Sequence, residues 1–279
     1  MAKKTNIKQL KGIAKKIRQN IVKMILRSGS GHLAGSLGMA DVFTALYFGG
    51  ILNHDPKRPN MRERDRVIMS AGHICPVLYG ALAEANYFPK RELWSLRKLG
   101  SNLQGHTVYK SIAGVENTSG PLGQGISQAV GLAYALRYFD KLSSRVFCIC
   151  SDGEHDEGQL WEAVMFAGKH KLSNLVVIVD RNHIQSDGNT KDIMPLEPLK
   201  KKYEAFNWQC SEVDGNDIKE VIGALEKAIS SKIGPWCVIA NTIPSKGIKF
   251  MESDYKWHAK VPTGDEAVEA LKELGLSSL

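Results

Sequence analysis

Residues 146–182, VFCICSDGEHDEGQLWEAVMFAGKHKLSNLVVIVDRN, decide how this chain is read. Two short runs, apolar at every position, flank a longer segment with helical spacing. Runs that do not alternate belong to strands buried on both faces, and such strands form parallel sheets. The expected strands are Arg145–Cys150 and Asn174–Asp180, with a helix between them ending near His170. Asp152 follows the first strand, and Asn182, thirty residues later, follows the second. A single crossover helix makes the two strands neighbours, so both residues lie at one sheet edge, beyond the carboxyl ends, where such sheets bind ligands. A carboxylate and an amide oxygen suit Mg²⁺ or Ca²⁺. Magnesium keeps few protein ligands and completes its shell with phosphate and water oxygens, so two side chains and one backbone carbonyl suffice. Gly153 lets a phosphate approach the backbone, and the next helix offers its first amides to the anion. The plainer alternative is an Asp that caps a helix and an Asn in a turn.

Outward from this stretch, strands alternate with helices. Asp65–Ser70, Trp208–Val213 and Trp236–Asn241 read as further strands. Helices are expected through Asp41–Tyr47, from His73 to about Asn86, from Gly120–Gly125 to about Leu142, and over Asp217–Ser231. Ser28–Gly38 (SGSGHLAGSLG) reads as a glycine-dense loop, and Pro89–Thr118 as loop-rich with a short helix near Glu92–Leu99. The fold class is α/β, a mostly parallel sheet with helices on both faces. No Gly-, Ser- and Pro-rich linker or internal repeat divides the 279 residues, so one domain is expected over 1–279, with 1–26 an amphipathic helix.

That helix carries Lys3, Lys4, Lys8, Lys11, Lys15, Lys16 and Arg18 opposite Ile7, Leu10, Ile13, Ile17, Ile21 and Met24. Its basic residues read as a solvated face, not as a nucleic-acid or membrane surface. The net charge of +8 would also mildly attract anionic sugars. No signal-peptide core or bilayer-length apolar run is present. Cys75, Cys148, Cys150, Cys210 and Cys237 form no C-x-x-C pair, so a reduced, cytoplasmic chain without a cysteine-built zinc site is expected.

Four histidines sit in glycine-containing segments: Ser30-Gly31-His32, Ala71-Gly72-His73, Gln104-Gly105-His106 and, before Pro262, Trp257-His258. Between them lies Gly120-Pro121-Leu122-Gly123-Gln124-Gly125. With Asp152-Gly153 and Asn182, these motifs occur in the order of the transketolase family, which the chain resembles from about Arg27 to Pro262. The resemblance implies a thiamine-diphosphate-binding fold with Asp152, Asn182 and the Ile184 carbonyl as ligands of Mg²⁺, for which Ca²⁺ or Mn²⁺ could substitute. It places His73, Gly120, Leu122, Gly153, Glu154, Asn182 and His258 against the cofactor. His32, His106 and His258 would be catalytic: neutral imidazole near pH 7 can donate or accept as a ketose is cleaved. The Gly120 carbonyl would accept from the cofactor's amino group, and Leu122 would pack on its rings. Met39-Ala40-Asp41 reads as helix packing; His54, His155, His170 and His183 read as structural. Two positions depart from the family: Ser151 stands where Gly is usual, and Thr107 where Pro often follows the histidine.

In this family, the glutamate that activates the cofactor and most of the basic residues holding substrate phosphate lie in a following domain. The resemblance therefore implies a split enzyme that acts on sugar phosphates, an α2β2 heterotetramer in which a separate C-terminal transketolase subunit binds the pyrimidine. Glu157 and Glu162 match acidic residues near the family's subunit interface, or form a solvated helix face. Two other readings stay open: a subunit of another thiamine-diphosphate enzyme, of 2-oxo acid dehydrogenase or deoxyxylulose phosphate synthase type, and a non-catalytic scaffold. Gly123-x-Gly125 lacks the third glycine and preceding strand of a dinucleotide fingerprint.

Overall fold

The structure, a computed structural model, describes residues 6–279. The first five positions of the expected N-terminal helix lie outside the described residues. Helix α1 spans Ile7–Ser28, capped by Asn6, whose side chain accepts from the Lys8 amide. It is followed by α2 (Leu33–Gly38) and α3 (Ala40–Phe48). Then come β1 (Arg66–Met69), α4 (Cys75–Glu84), α5 (Gln124–Tyr138), β2 (Val146–Ser151), α6 (Gly158–Lys169) and β3 (Leu175–Arg181). A two-residue hairpin pairs β4 (Ile184–Gln185) with β5 (Gly188–Asn189). Helices α7 (Thr190–Ile193) and α8 (Leu199–Ala205) lead to β6 (Gln209–Asp214), α9 (Ile218–Ser230), β7 (Trp236–Asn241) and α10 (Gly264–Glu273).

The main sheet is parallel, in the order β1-β2-β3-β7-β6. Its strands alternate between two cores. Phe147, Ile149, Val176, Ile178, Val238 and Ala240 join α1, α3, α4 and α9 on one face. Val146, Cys148, Cys150, Val177, Val179 and Ile239 join α5, α6 and α8 on the other. Both sides are covered, which is why the strand sequences show no alternation. Helices α5 and α6 lie on one face while the sheet grows from β1 to β3. The chain then passes to the edge, builds β6 and returns through α9 on the opposite face to place β7 beside β3. Right-handed crossovers require that change of face when the direction of growth reverses.

The expected strands and helices are all present, with ends shifted by a few residues. One expectation fails: the second half of Ser28–Gly38 is not a loop but helix α2. Its glycines serve close approach. A Cβ on Gly35 would lie 2.9 Å from Ile74 and 3.3 Å from the Asp180 carboxylate, and one on Gly38 would lie 3.0 Å from the Ile243 carbonyl. Spaced three apart, they form one smooth face that lets the helix seat against the strand ends. Arg18, expected on the solvated face of α1, also departs from expectation, while Asp41 serves helix packing as expected. Arg18 is buried and donates to the Asp41 carboxylate and, over 3.1 Å, to the Leu37 carbonyl, tying α1 to α2 and α3. Asn216 donates to Asp41 from the loop after β6. No helix among the described residues is long and apolar enough to cross a membrane.

Helix α5 contains two glycines in opposite settings. A Cβ on Gly125 would stand 2.3 Å from the Ser70 Cα, whereas one on Gly131 meets nothing within 4 Å. Gly125→Ala should therefore destabilise the chain by about 1–3 kcal/mol through overpacking, and Gly131→Ala should stabilise it by about 0.5–1 kcal/mol. Urea unfolding of both variants checks the pair; equal effects would mean that the helix does not rest on β1 as described.

Candidate active site

Beyond the carboxyl ends of the strands lies a cavity of ≈ 320 Å³. Every residue that the sequence singles out for catalysis, cofactor or metal lines it: His32, His73, His106, Gly120, Leu122, Asp152, Gly153, Glu154, Asn182, Ile184 and His258. Residues separated by more than two hundred positions thus meet at one sheet edge. Ser151, Gln185, Ser186 and Asp187 line it as well.

The floor is set by strand register. Ser151 of β2 pairs with Asp180 of β3, which puts Asp152 beside Arg181. Asp152 is 1% exposed. Its Oδ1 accepts from the Gly153 amide (2.7 Å); its Oδ2 accepts from Arg181 Nη1 (2.8 Å) and the His183 amide (2.8 Å). His183 reaches that carboxylate with a left-handed backbone, φ 64°. Burial pushes Asp152 up to about 6 against the pull of Arg181. Arg181 also donates to Glu197 and Thr190, so three acceptors hold one buried guanidinium.

Asn182 Nδ2 donates to the Asp180 carboxylate, and its Oδ1 accepts from the Ile184 amide (3.0 Å). A backbone N–H can only donate, so the Ile184 amide fixes which end of the Asn182 side chain is oxygen. That oxygen, the Asp152 carboxylate and the Ile184 segment make a hard-donor edge. Among the described residues no three His, Cys, Asp or Glu side chains gather to hold a metal. A cation here would draw on amide, carbonyl, phosphate and water oxygens for the remainder, the pattern magnesium accepts. Three residues of the same lining each keep a buried polar atom without a partner, Glu154 Oε1, His32 Nδ1 and His258 Nδ1, which fits a site built for a polar guest. The residues present therefore fit a divalent cation with a diphosphate.

The departure at Ser151 is accommodated. Ser151 ends β2 in extended backbone, which any residue adopts, and its carbonyl accepts from buried His155, Nδ1 at 2.8 Å. His155 Nε2 lies 2.9 Å from the Tyr203 hydroxyl, so this histidine pins the turn. His54 bridges Tyr87 and the Tyr47 carbonyl, and His170 packs in an aromatic cluster with Phe166 and Tyr134. Glu157, at the N-cap of α6, and Glu162, on that helix, are exposed.

Above the floor, His32, His73 and His258 form a triangle with ring centroids 5.1, 5.3 and 5.5 Å apart. Burial, then its histidine neighbours, lowers His32 to about 4. His73 is lowered well below its ordinary value by burial and the same neighbours, and burial also lowers His106 and His258. All four rings are neutral at pH 7 and can each donate and accept. The His106 loop is anchored from below: Tyr79 Oη donates to the Gln104 carbonyl (3.0 Å), and Cys75 Sγ donates to that of Gly105 (3.2 Å). Thr107 uses the N–H that proline would lack: it donates to Ser119 Oγ (3.1 Å), directly before Gly120. Ser119 in turn packs on Gly72, where a Cβ would lie 2.2 Å from its Oγ. Three loops interlock at that point. Leu122 stands on the rim, 37% exposed.

Arg181 and Asp180 are not singled out by the sequence. Their only signal is a run of Asp, Arg and Asn at the end of an otherwise apolar buried strand. Removing Asp152 leaves the Gly153 and His183 amides without their acceptor and Arg181 with Glu197 as its remaining carboxylate, so Asp152→Ala should lose about 1–3 kcal/mol of stability. Thermal and urea unfolding measure this, and wild-type stability would show that the pair is solvent-relaxed. A pH dependence follows too. Burial raises Glu154 and Asp180 each to about 7, above their ordinary values. At these two groups the native state holds protons that the unfolded chain has released, so their contribution to stability falls as pH rises from about 4 to 7, while the lowered histidines contribute stability that rises over much of the same range. In chelator, urea unfolding across that range should show Glu154→Gln gaining stability relative to the wild type as pH rises, because the variant lacks the falling contribution of Glu154. A slope unchanged in Glu154→Gln would exclude Glu154 as a source.

Comparison with known proteins agrees with this architecture. Residues 9–278 match the family described as transketolase, thiamine diphosphate binding domain. A 6-deoxy-6-sulfo-D-fructose transketolase subunit, SqwG, of Clostridium sp. (strain MSTE9) is 41% identical over 92% of this chain and 93% of its own length. One of the subunits of apulose-4-phosphate transketolase, from Actinobacillus succinogenes, is 42% identical over 95% and 96%. The transketolase structure from Campylobacter jejuni superposes with a TM-score of 0.89 at 33% identity, covering 98% of this chain and 44% of that one. The chain thus spans less than half of that transketolase and almost all of the two subunits. It belongs to the transketolase family and corresponds to that family's thiamine diphosphate binding domain.

Proposed function

We propose that this chain is the diphosphate-binding, N-terminal subunit of a split transketolase, a single domain that works with a separate pyrimidine-binding subunit in an α2β2 complex. The reaction is transfer of a two-carbon ketol unit from a ketose phosphate or related anionic ketose to an aldose, as in carbohydrate routes such as the pentose phosphate pathway. One observation carries the reading. Residues from seven separate segments of a transketolase-family sequence converge on one cavity whose floor offers hard oxygens and whose roof offers neutral imidazoles. The relatives named as subunits, matched over nearly their whole length, support the division of labour.

In this reading Asp152, Asn182 and the Ile184 carbonyl hold Mg²⁺, and through it the diphosphate. Gly153 leaves room for a phosphate, while Glu154 and His73 face the same anion. The Gly120 carbonyl and Leu122 orient the cofactor's ring system. When bound, thiamine diphosphate supplies the nucleophilic carbon that accepts the two-carbon unit. His32, His106 and His258 take and return protons on substrate hydroxyl and carbonyl oxygens, their neutrality at pH 7 leaving each nitrogen free for one role. Exposed Leu122 marks the side that the pyrimidine-binding subunit would cover, and Glu157 and Glu162 would lie near that junction.

Asp152→Asn keeps the shape of the side chain and removes its charge, so magnesium-dependent binding of thiamine diphosphate to the two-chain complex should fall by on the order of 100-fold or more. Isothermal titration calorimetry with and without magnesium reads it, and unaltered affinity would take Asp152 off the ligand set. Ketol transfer should require both chains. Full activity of this polypeptide alone would refute the split arrangement.

A further inference from the structure

A second groove, of ≈ 370 Å³, adjoins the cofactor cavity and is lined by Arg97, Gln104, His106, Thr107, Thr118 and Ser119, among others. His106 lines both spaces, so it forms the wall between them. Arg97 is held there by the backbone. It has φ 60°, an unfavourable left-handed conformation for a non-glycine residue, and its amide donates to the Leu103 carbonyl (2.8 Å) to close the intervening loop. Its guanidinium lies over Gly105: a Cβ there would stand 2.4 Å from Arg97 Nε and 2.7 Å from its Cζ. Gly105 therefore provides the seat that holds the cation beside His106.

The guanidinium is otherwise unengaged. Among the described residues it meets no carboxylate and makes no side-chain hydrogen bond, whereas Arg18, Arg64, Arg145 and Arg181 are all ion-paired. Its charge is felt inside the cavity, where, after burial, it is among the causes that lower His32 and His106. An exposed, positioned arginine with five donors, beside hydroxyls, suits a tetrahedral oxyanion.

The geometry points to Arg97 as the residue by which this chain binds the anionic terminus, phosphate or sulfonate, of the sugar substrate. This rests on the function proposed above. The reacting end of the sugar sits among the imidazoles, and the remaining carbons pass His106 into the groove, where the charged end meets the guanidinium. Substrate charge would then be recognised in part by this chain and not solely by its partner.

The test uses the reconstituted complex of both chains with three ketose donors: xylulose 5-phosphate, a ketohexose with a sulfonate at C6, and uncharged erythrulose. In Arg97→Gln, kcat/KM for charged over uncharged donors should fall on the order of 10- to 100-fold, through KM, with Arg97→Lys recovering part of it. Competitive inhibition by inorganic phosphate should weaken in parallel. A loss confined to the phosphate or to the sulfonate donor identifies the terminus bound. An equal loss with erythrulose would make Arg97 a merely structural residue, and an unchanged ratio would leave it without a part in binding; either overturns the inference. A wild-type complex that transfers nothing from any donor would instead sink the transketolase reading, and this inference with it.

Discussion

The site depends on one register, that of β2 against β3. With Ser151 opposite Asp180, the first residue past β2 is a carboxylate beside Arg181, and the first past β3 is an amide bonded to Asp180. Side chains on a strand alternate faces, so a slip of one residue would turn each of these groups toward the wrong side of the sheet. The register is secured by apolar strand faces buried in two different cores, which punish any slip twice. Hydrophobic packing, formed from residues with no chemistry of their own, thus places the polar groups.

The roof is built differently. His73 follows β1, but His32, His106 and His258 sit on segments that no sheet aligns, and close backbone approach does the work instead. Gly35 seats α2 on Asp180, Gly72 admits Ser119, and Gly125 lets α5 start against Ser70. At none of these three is the glycine needed for a positive φ. The missing methyl group is what matters, because each neighbour occupies the space where it would be.

That distinction explains what the sequence disclosed and what it hid. Parallel strands and crossover helices were legible because burial on both faces leaves an unbroken apolar run, as in VFCIC and LVVIVD. The cavity's lining was legible through motifs in a recognisable order. Helix α2 was hidden because glycines at helical spacing look like those of a loop; only the surface they pack on reveals their purpose. Arg18 was hidden among lysines that do face water, and its partner Asp41 lies on another helix. Helices α8 and α10 are short, seven and ten residues, and are rich in charged side chains, so neither offers a long apolar run to read. Arg97 was invisible for a similar reason: nothing local distinguishes it from Arg91 or Lys98, and its neighbour Gly105 stands eight positions away.

Cys75 has a further consequence. It lies directly beneath the His106 loop, yet burial pushes its thiol up to about 12, and its proton is committed to backbone carbonyls. Oxidants and alkylating reagents attack the thiolate, which scarcely exists here at physiological pH. A sulfur atom so near the reaction centre is thereby kept chemically silent, and oxidative stress has little leverage on the loop it supports.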